Sequence, residues 1–159
     1  MVKLESKSID RIDGRILSEL QNDGRLSNVE LARRVGLSPT PCLERVKRLE
    51  KTGYIKGYTA VLNPNLLAAE LLVYVEIRLD RTSPDVFEQF KQAVLELPQV
   101  MECHLVTGSF DYLVKARVQN ISAYRDLLSD TLLSLPSVSG SQTFVVMEPV
   151  KESTQIPLP

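Results

Sequence analysis

The sequence is poor in cysteine, histidine and tryptophan, and these shortages exclude several kinds of protein. Its 159 residues contain two cysteines, one histidine and no tryptophan. Cys42 and Cys103 lie far apart and form no CxxC, so neither a disulfide framework nor a zinc site of the usual spacing is expected. This use of cysteine favours a reducing, cytoplasmic compartment.

Long apolar runs are also missing. The longest stretch without a charged residue extends from Thr131 to Met147, and Pro136 and Gly140 interrupt it. Because a spanning helix needs about 20 apolar residues, we expect no transmembrane segment and no membrane partner. The first residues, Met1–Lys7, lack the apolar core of a secretory signal. A hydrophobic content of 43% and a charged content of 25% are typical of globular domains.

Charge is distributed unevenly along the chain. Residues 1–62 contain 12 Lys and Arg against 8 Asp and Glu, whereas residues 63–159 contain 7 against 12. The whole chain has a formal net charge of −1. A basic first part joined to an acidic second part indicates one module for a polyanion and another for a different ligand.

The basic part is predicted to contain three helices. Apolar residues at spacings of three and four predict the first helix over Asp10–Gln21. Ser27 and Glu30 have the spacing of a capping box and open a second short helix, which Gly36 ends. Ser38 is the predicted N-cap of a third helix that ends at Gly53.

The third helix is predicted to be the reading element of a helix-turn-helix. Leu43, Val46 and Leu49 are its predicted apolar stripe, and Cys42 is interpreted as a small packing residue. In such a motif the second helix of the pair enters the major groove with its N-terminal residues near the bases. We expect Arg45 to bind guanine and Thr40 to contact a thymine methyl group. The remaining candidates for bases or phosphates are Arg25, Ser27, Asn28, Ser38, Pro39, Pro41, Glu44, Lys47 and Arg48. A solvated charged face on an ordinary helix is the alternative.

Beyond Gly53 the chain is predicted to leave the helical domain and enter a second one. Tyr54–Leu62 is rich in β-forming residues and predicts a strand that completes a domain over residues 1–62. Asn63-Pro64-Asn65 opens a linker assigned to residues 63–70. The second domain is assigned to residues 71–159.

The second domain contains an internal repeat. The same order occurs twice: a predicted strand, a helix, the short motif LPxV and another strand. The motif lies at Leu97–Val100 and at Leu135–Val138. The order β-α-β-β-α-β with right-handed crossovers predicts a ferredoxin-like α+β sandwich. One face of such a sheet is covered by helices and the other is bare, so we expect a dimer formed through the sheets.

The loop between the second and third predicted strands is a candidate ligand site. Gly108 lets the backbone approach a ligand, and exposed N–H groups there can hold a carboxylate. Asp111 can accept a hydrogen bond from an ammonium group, so the pair suits a zwitterion. The alternative is a plain hairpin turn, with Asp111 as a turn residue and Tyr112 in the core.

No catalytic, cofactor or metal motif is present. GxGxxG, Walker and HExxH sequences are missing, and the single histidine, His104, lies on a predicted strand without a proposed nucleophile. The sequence therefore predicts no catalytic residue, no metal site and no cofactor, and it argues against an enzyme.

Several segments together resemble the Lrp/AsnC (leucine-responsive, feast/famine) family of transcriptional regulators. In the basic part these are Ile9–Asp13, Gly24–Leu31, Val35–Val46 and Gly57-Tyr58. In the acidic part they are Glu102–Leu105 and Gly108–Leu113. The resemblance extends from about Ile9 to Val150.

The resemblance implies a helix-turn-helix domain that binds double-stranded DNA, followed by a ferredoxin-like domain called RAM. It also implies dimers that assemble further, commonly into octamers, with a small amino acid bound between dimers near Gly108 and Asp111. The other positions that it implies as effector-lining are Leu105, Thr107, Tyr112, Ile121, Phe144, Val145 and Val146.

The sequence thus predicts a cytoplasmic, sequence-specific regulator of amino-acid metabolism that responds to leucine or methionine. Two alternatives remain open at this point. Some proteins of this two-domain plan resemble sirohaem decarboxylases, for which His104 is the one candidate catalytic residue. A non-DNA adaptor that senses amino acids is the other alternative.

Overall fold

The computed structural model describes residues 9–81 and 83–158, which form two compact units. The first unit extends to Val61 and also includes the chain from Glu152 onward, and the second is Leu62–Lys151. This division differs from the predicted boundaries, because the end of the chain joins the helical unit and the predicted linker joins the second unit. Residues 1–8 of the predicted first domain lie outside the described residues.

The helical unit contains the three predicted helices. They are α1 (Arg11–Asn22), α2 (Asn28–Val35) and α3 (Pro39–Lys51). Gly36 ends α2 with φ 76°, a left-handed conformation that glycine adopts without strain. The core between the helices consists of Ile16, Leu17, Leu31, Ala32, Val35, Cys42 and Leu49. The helix-turn-helix arrangement is therefore confirmed.

The predicted strand over Tyr54–Leu62 does not form. These residues have no ladder partner among the described residues, and most of them are exposed. An isolated strand leaves its backbone groups unpaired, so β-forming residues alone do not produce one. Short 3-10 structure follows at Pro64–Leu66, inside the predicted linker.

The second unit is a four-stranded antiparallel sheet with helices on one face. Its elements are β1 (Leu71–Leu79), α4 (Pro84–Leu95), β2 (Val100–Leu105), β3 (Tyr112–Val118), α5 (Ile121–Asp126) and β4 (Val138–Val145). The strand order is β2-β3-β1-β4, and all neighbours are antiparallel. This is the predicted ferredoxin-like topology. After α5 the chain continues through a π-helical turn, Leu127–Thr131, and a 3-10 turn, Leu132–Ser134.

The repeated LPxV sequence forms a hydrogen-bonded turn in both copies, although only the second turn contains a residue with positive φ, Ser137 at 61°. The amide of Val100 donates to the carbonyl of Leu97 at 3.1 Å, and the amide of Val138 donates to that of Leu135 at 3.3 Å. Both turns lead directly into a strand. The internal repeat is thus present in the backbone as well as in the sequence.

The two faces of the sheet differ in chemistry. Alternate residues of β1 and β3, among them Val73, Val75 and Val114, are fully buried beneath the helices with Phe90. The opposite face carries charged side chains as well as apolar ones. Its residues include Leu72, Tyr74, Glu76, Arg78, Glu102, His104, Leu113, Lys115 and Phe144.

Candidate nucleic-acid interface and effector region

The buried face of α3 is rotated from the predicted one. Cys42 and Leu49 are 0% and 1% exposed, whereas Leu43 is 40% exposed. The inward stripe therefore begins at Cys42, which confirms its packing role, and Leu43 lies on the outer side. Residues three and four apart share a helix face. The exposed outer face consists of Thr40, Leu43, Glu44, Lys47 and Lys51.

Arg45 lies on the side of α3 that faces α1, and its predicted role in reading bases stays a prediction. It follows Cys42 by three residues and precedes Leu49 by four, and its side chain is 28% exposed. Its Nη1 lies 2.8 Å from Asp13 Oδ1 and 2.5 Å from Asp10 Oδ2. Arg48, predicted to contact phosphate, donates through Nη2 to Asp13 Oδ2 at 2.5 Å. Both guanidinium groups are thus bound to α1.

The same two carboxylates cap α1. Asp10 Oδ1 accepts the amide N–H of Asp13 at 2.8 Å, and Asp13 Oδ2 accepts that of Asp10 at 3.2 Å. The hydrogen bond from the amide of Asp13 is the main cause that lowers the pKa of Asp10, and the hydrogen bond from Arg45 lowers it further. Asp10 and Asp13 in turn raise the pKa of Arg45. The sequence signal for this cap is a pair of acidic residues, three positions apart, at the start of an apolar helical pattern.

A second ion-pair cluster lies on α2. The carboxylate of Glu30 accepts from Arg33 Nη2 at 2.7 Å and from Arg34 Nε at 2.8 Å. These two hydrogen bonds, the one from Arg33 first, lower the pKa of Glu30 to about 2. Ser27 caps α2 as predicted, with its Oγ 3.2 Å from the amide nitrogen of Glu30. The Glu30 carboxylate is therefore engaged with arginines rather than with the helix N-terminus.

Several basic side chains of the helical unit form no ion pair among the described residues and remain available to a polyanion. Arg25, Lys47 and Lys51 are exposed and form no ion pair within residues 9–81 and 83–158. Asn28 Nδ2 donates to the carbonyl of Pro39 at 2.7 Å, which joins the start of α2 to the start of α3. The other predicted contacts at these helix starts, Ser27, Ser38, Pro39, Thr40 and Pro41, are exposed.

The predicted ligand loop connects β2 to β3 and is hydrogen-bonded to β1. Gly108 has φ 141°, a backbone conformation that favours glycine. Asp111 Oδ2 accepts the amide N–H of Leu79 at 2.8 Å, and the amide of Asp111 donates to the carbonyl of Ile77 at 2.9 Å. One carboxylate oxygen of Asp111 is thus already used within the fold.

Tyr112 lies in the core, and its predicted place beside an effector stays a prediction. It is 6% exposed, and its ring stacks on Phe90 with centroids 4.3 Å apart. Phe87 adds an edge contact at 6.1 Å. Burial raises the pKa of the Tyr112 hydroxyl. Side chains at alternate positions of β3 point to opposite faces, so Tyr112 faces the helices while Leu113 faces away.

The other residues that are predicted to line an effector site form two groups at opposite ends of the sheet. Leu105, Thr107, Gly108 and Asp111 lie where β3 begins, opposite Ile77. Phe144, Val145 and Val146 lie at the other end of β1, beside Leu72 and Val73, and Ile121 follows the adjoining end of β3.

The distance between these two groups prevents one chain from closing a pocket around a small amino acid. Val73 and Ile77 are separated by about 13 Å along β1, and β2 and β4 are opposite edges of the sheet. The exposed fractions of Leu105, Ile121, Phe144 and Val145 are 60%, 63%, 46% and 44%. Each group is therefore exposed in the single chain and is called a predicted half-site below.

His104 lies on the sheet face that the helices leave open. Its Nε2 is 3.2 Å from Glu102 Oε2, and Glu102 also accepts from Lys115 at 3.0 Å. Hydrogen bonds from Lys115 and His104 lower the pKa of Glu102. No group of metal-ligating side chains occurs among the described residues, and none of their helices is long and apolar enough to cross a membrane.

A helix-turn-helix unit with an exposed basic helix, together with a ferredoxin-like unit, defines a class of two-domain DNA-binding regulators. Residues 9–56 match the family model for winged helix-turn-helix DNA-binding domains, and residues 72–156 match that for the Lrp/AsnC ligand binding domain. The chain belongs to the Lrp/AsnC family.

Relatives agree with this assignment over nearly the whole chain. The leucine-responsive regulatory protein of Klebsiella pneumoniae is 63% identical over 97% of this chain and 94% of its own. A transcriptional regulator of Neisseria meningitidis, solved with L-methionine, has a TM-score of 0.90 and 38% identity, covering 94% of this chain and 97% of that one. An AsnC family regulator of Agrobacterium tumefaciens has a TM-score of 0.89 and 33% identity, with the same coverage. These relatives are all named as regulators, and the chain is a transcriptional regulator of this family.

Proposed function

We propose that this chain is a cytoplasmic, sequence-specific regulator of amino-acid metabolism whose DNA binding responds to leucine or methionine. The name of the Klebsiella pneumoniae relative and the L-methionine complex of the Neisseria meningitidis regulator support this class of effector. The observation that carries the proposal is the exposed face of α3, which bears the unpaired Lys47 and Lys51 beside Thr40 and Leu43.

On DNA, the outer face of α3 enters the major groove. Thr40 and Leu43 supply methyl groups that can contact the C5-methyl of thymine, and Glu44 can accept from cytosine N4. Lys47, Lys51 and Arg25 contact phosphates, which orient the domain without reading sequence. Ser38, Pro39 and Pro41 hold the backbone at the start of α3, and Ser27 and Asn28 place the N-terminus of α2 near a phosphate.

The effector site is completed by a second copy of the chain. The half-site with Gly108 and Asp111 supplies backbone N–H groups for a carboxylate and a carboxylate oxygen for an ammonium group. The half-site with Ile121 and Val145 supplies apolar surface for a branched or thioether side chain. We propose dimers paired through the open sheet faces that assemble further, into an octamer, so that one half-site meets the other between dimers.

An amino acid in this site acts by binding one assembly state more tightly than another. Differential affinity for two states shifts their populations, and the shift alters how many helix-turn-helix units engage DNA together. Dimers would place two α3 helices in successive major grooves, and a larger assembly would let the DNA bend around it.

Fluorescence anisotropy tests the proposal. A labelled duplex from the region upstream of the chain's own reading frame is titrated with protein, with excess competitor DNA, and with or without leucine and methionine. Tight binding that one amino acid shifts supports both parts of the proposal. Binding to the labelled duplex no tighter than to competitor would instead favour an adaptor that binds proteins, for which the salt dependence of DNA binding would be shallow.

Mixed assemblies test the shared site. One variant carries Asp111→Asn and another carries Val145→Glu, so each disables a different half-site. Each variant alone should lose the effector response, while assemblies reconstituted from both should regain part of it, because some interfaces then combine two intact halves. Failure of the mixture to recover any response, with assembly verified by sedimentation, would contradict a site built from two copies.

A further inference from the structure

We propose that Asp10 and Asp13 are positioning residues for DNA specificity, because they hold Arg45 and Arg48 on the inner side of α3 and away from the phosphate backbone. The inference rests on the proposed binding of α3 to DNA. It gives the two acidic residues of α1 a role in recognition without any contact to DNA.

The geometry of Asp13 is the first support. This carboxylate is 2% exposed, and each of its oxygens accepts from a different arginine of α3. Oδ1 accepts from Arg45 and Oδ2 from Arg48. Asp10 adds a second acceptor for Arg45. A buried carboxylate is stable only when it is paired and hydrogen-bonded, so Asp13 and the two guanidinium groups depend on one another.

The placement of the two arginines is the second support. The side chains of Arg45 and Arg48 are 28% and 47% exposed, so both lie near enough to the surface to reach a polyanion if they were released. Each has a long, flexible stem that carries a charge independent of pH. The carboxylates of Asp10 and Asp13 therefore determine whether these two guanidinium groups stay bound to the protein or contact DNA.

Release of the arginines would have two separate effects. Guanidinium groups that contact phosphates strengthen binding to every sequence by the same factor, which steepens the salt dependence but leaves the ratio of specific to non-specific affinity unchanged. At the same time α3 would lose its hydrogen bonds to Asp10 and Asp13, so its outer face would meet the bases in a less defined orientation. This second effect weakens binding to the preferred sequence alone and therefore lowers the specificity ratio.

Asp13→Asn in the full chain is the principal test. Asparagine has the shape of aspartate and keeps an oxygen that can accept the amide of Asp10, but it has no charge to hold the arginines. A duplex selected by the wild-type chain from a random pool, and an unrelated duplex of the same length, are titrated between about 0.05 and 0.3 M KCl. We expect stronger binding to the unrelated duplex and a specificity ratio that falls roughly tenfold. The slope of log K against log salt for the unrelated duplex should steepen by about one to two, one unit for each new phosphate contact.

Glu30→Gln is the matched control. It changes the net charge by the same amount and removes a carboxylate that pairs with arginines on α2: Arg33 is released, while Arg34 keeps its pairing with Glu19 at 3.0 Å. The specificity ratio of this control should stay near that of the wild type. Adding Arg45→Gln and Arg48→Gln to Asp13→Asn should return the salt slope to the wild-type value, because the released guanidinium groups are then gone.

The outcomes separate the proposal from its alternatives. Equal losses of both affinities with an unchanged salt slope would indicate a merely structural role for Asp13 and overturn the proposal, as would an equal effect of Glu30→Gln. If circular dichroism shows that Asp13→Asn is unfolded, Asp10→Asn replaces it; this variant keeps a good N-cap residue and should shift ratio and slope in the same direction by less. A wild-type chain that selects no duplex from the pool would instead refute the proposed function itself.

Discussion

The side-chain amide of Gln21 forms two hydrogen bonds with the backbone of Ile156, 135 residues further along the chain. Its Nε2 donates to the carbonyl of Ile156 at 3.1 Å, and its Oε1 accepts the amide N–H at 2.7 Å. Gln155 bonds Asn22 beside them at 2.9 Å, and Leu158 packs against the helical core. The helical unit is thus built from both ends of the described chain.

Gln21→Ala should loosen this terminal segment. The substitution removes both hydrogen bonds to Ile156, and each such bond contributes about 0.5–1.5 kcal/mol. We expect the helical unit to lose about 1–2 kcal/mol of unfolding free energy, as measured by thermal denaturation, and the Ile156 amide to exchange its hydrogen faster. Gln89→Ala, an exposed position on α4 without a hydrogen bond among the described residues, is the control. Unchanged exchange at Ile156 in the Gln21 variant would show that the segment is held by other contacts.

Lys47→Ala should reduce binding to every duplex by the same factor. Lys47 lies on the outer face of α3 and has no ion pair within residues 9–81 and 83–158, so its charge is available to a phosphate. Loss of one phosphate contact lowers the salt slope by about one and leaves the specificity ratio unchanged. Anisotropy titrations at several salt concentrations measure both quantities. Lys91→Ala on α4 should change neither, and a change in the specificity ratio of the Lys47 variant would place that residue at a base instead.

Local patterns were sufficient to predict most of the fold. The repeat of strand, helix and LPxV predicted the order β-α-β-β-α-β, and LPxV marked both turns into strands. These features depend on neighbouring residues, whose spacing appears directly in the sequence. The strand predicted over Tyr54–Leu62 failed because its stability depends on a partner that local composition does not reveal.

The candidate sites were harder to predict because they depend on contacts between distant residues. The orientation of α3 was misjudged because Leu43 is more apolar than Cys42, although Cys42 is the buried residue. The pairing of Arg45 with Asp13 could not be predicted, because the two residues are 32 positions apart in the sequence. The separation of the predicted effector residues into two groups follows from the strand order, in which β1 and β3 lie between β2 and β4.

The stability of the helical unit should depend on Glu30 in acid. The pKa of Glu30 is about 2 in the folded chain, below its ordinary value of 4.5, because Arg33 and Arg34 donate to the carboxylate. A lowered pKa means that the ionised group stabilises the fold: this contribution is complete above about pH 4.5 and is lost as the pH falls towards 2. Urea denaturation of the wild type and Glu30→Gln should therefore give a difference in stability that shrinks over this interval. A difference that stays constant from pH 6 to about pH 2 would contradict the assignment.

Asp111 should have separable roles in stability and in effector binding. Its Oδ2 accepts the amide of Leu79, while its Oδ1 has no hydrogen-bond partner in the described part of the chain and is available to an ammonium group. Asp111→Ala removes both roles and should cost the second unit about 1–3 kcal/mol, because the amide of Leu79 is left unpaired. Asp111→Asn keeps an acceptor for Leu79 but lacks the charge. We expect this variant to unfold like the wild type and to bind DNA normally without effector.

The effector response distinguishes the two roles of Asp111. In the anisotropy assay, Asp111→Asn should need at least about tenfold more leucine or methionine for the same shift, since a hydrogen bond to a charged group is worth roughly 1.5–3 kcal/mol. Asp126→Asn, which removes an exposed carboxylate of α5, should respond like the wild type. If Asp111→Asn also responds like the wild type, while Asp111→Ala is destabilised, then Asp111 serves only to fasten the loop to β1, and the ammonium group of the effector is bound elsewhere.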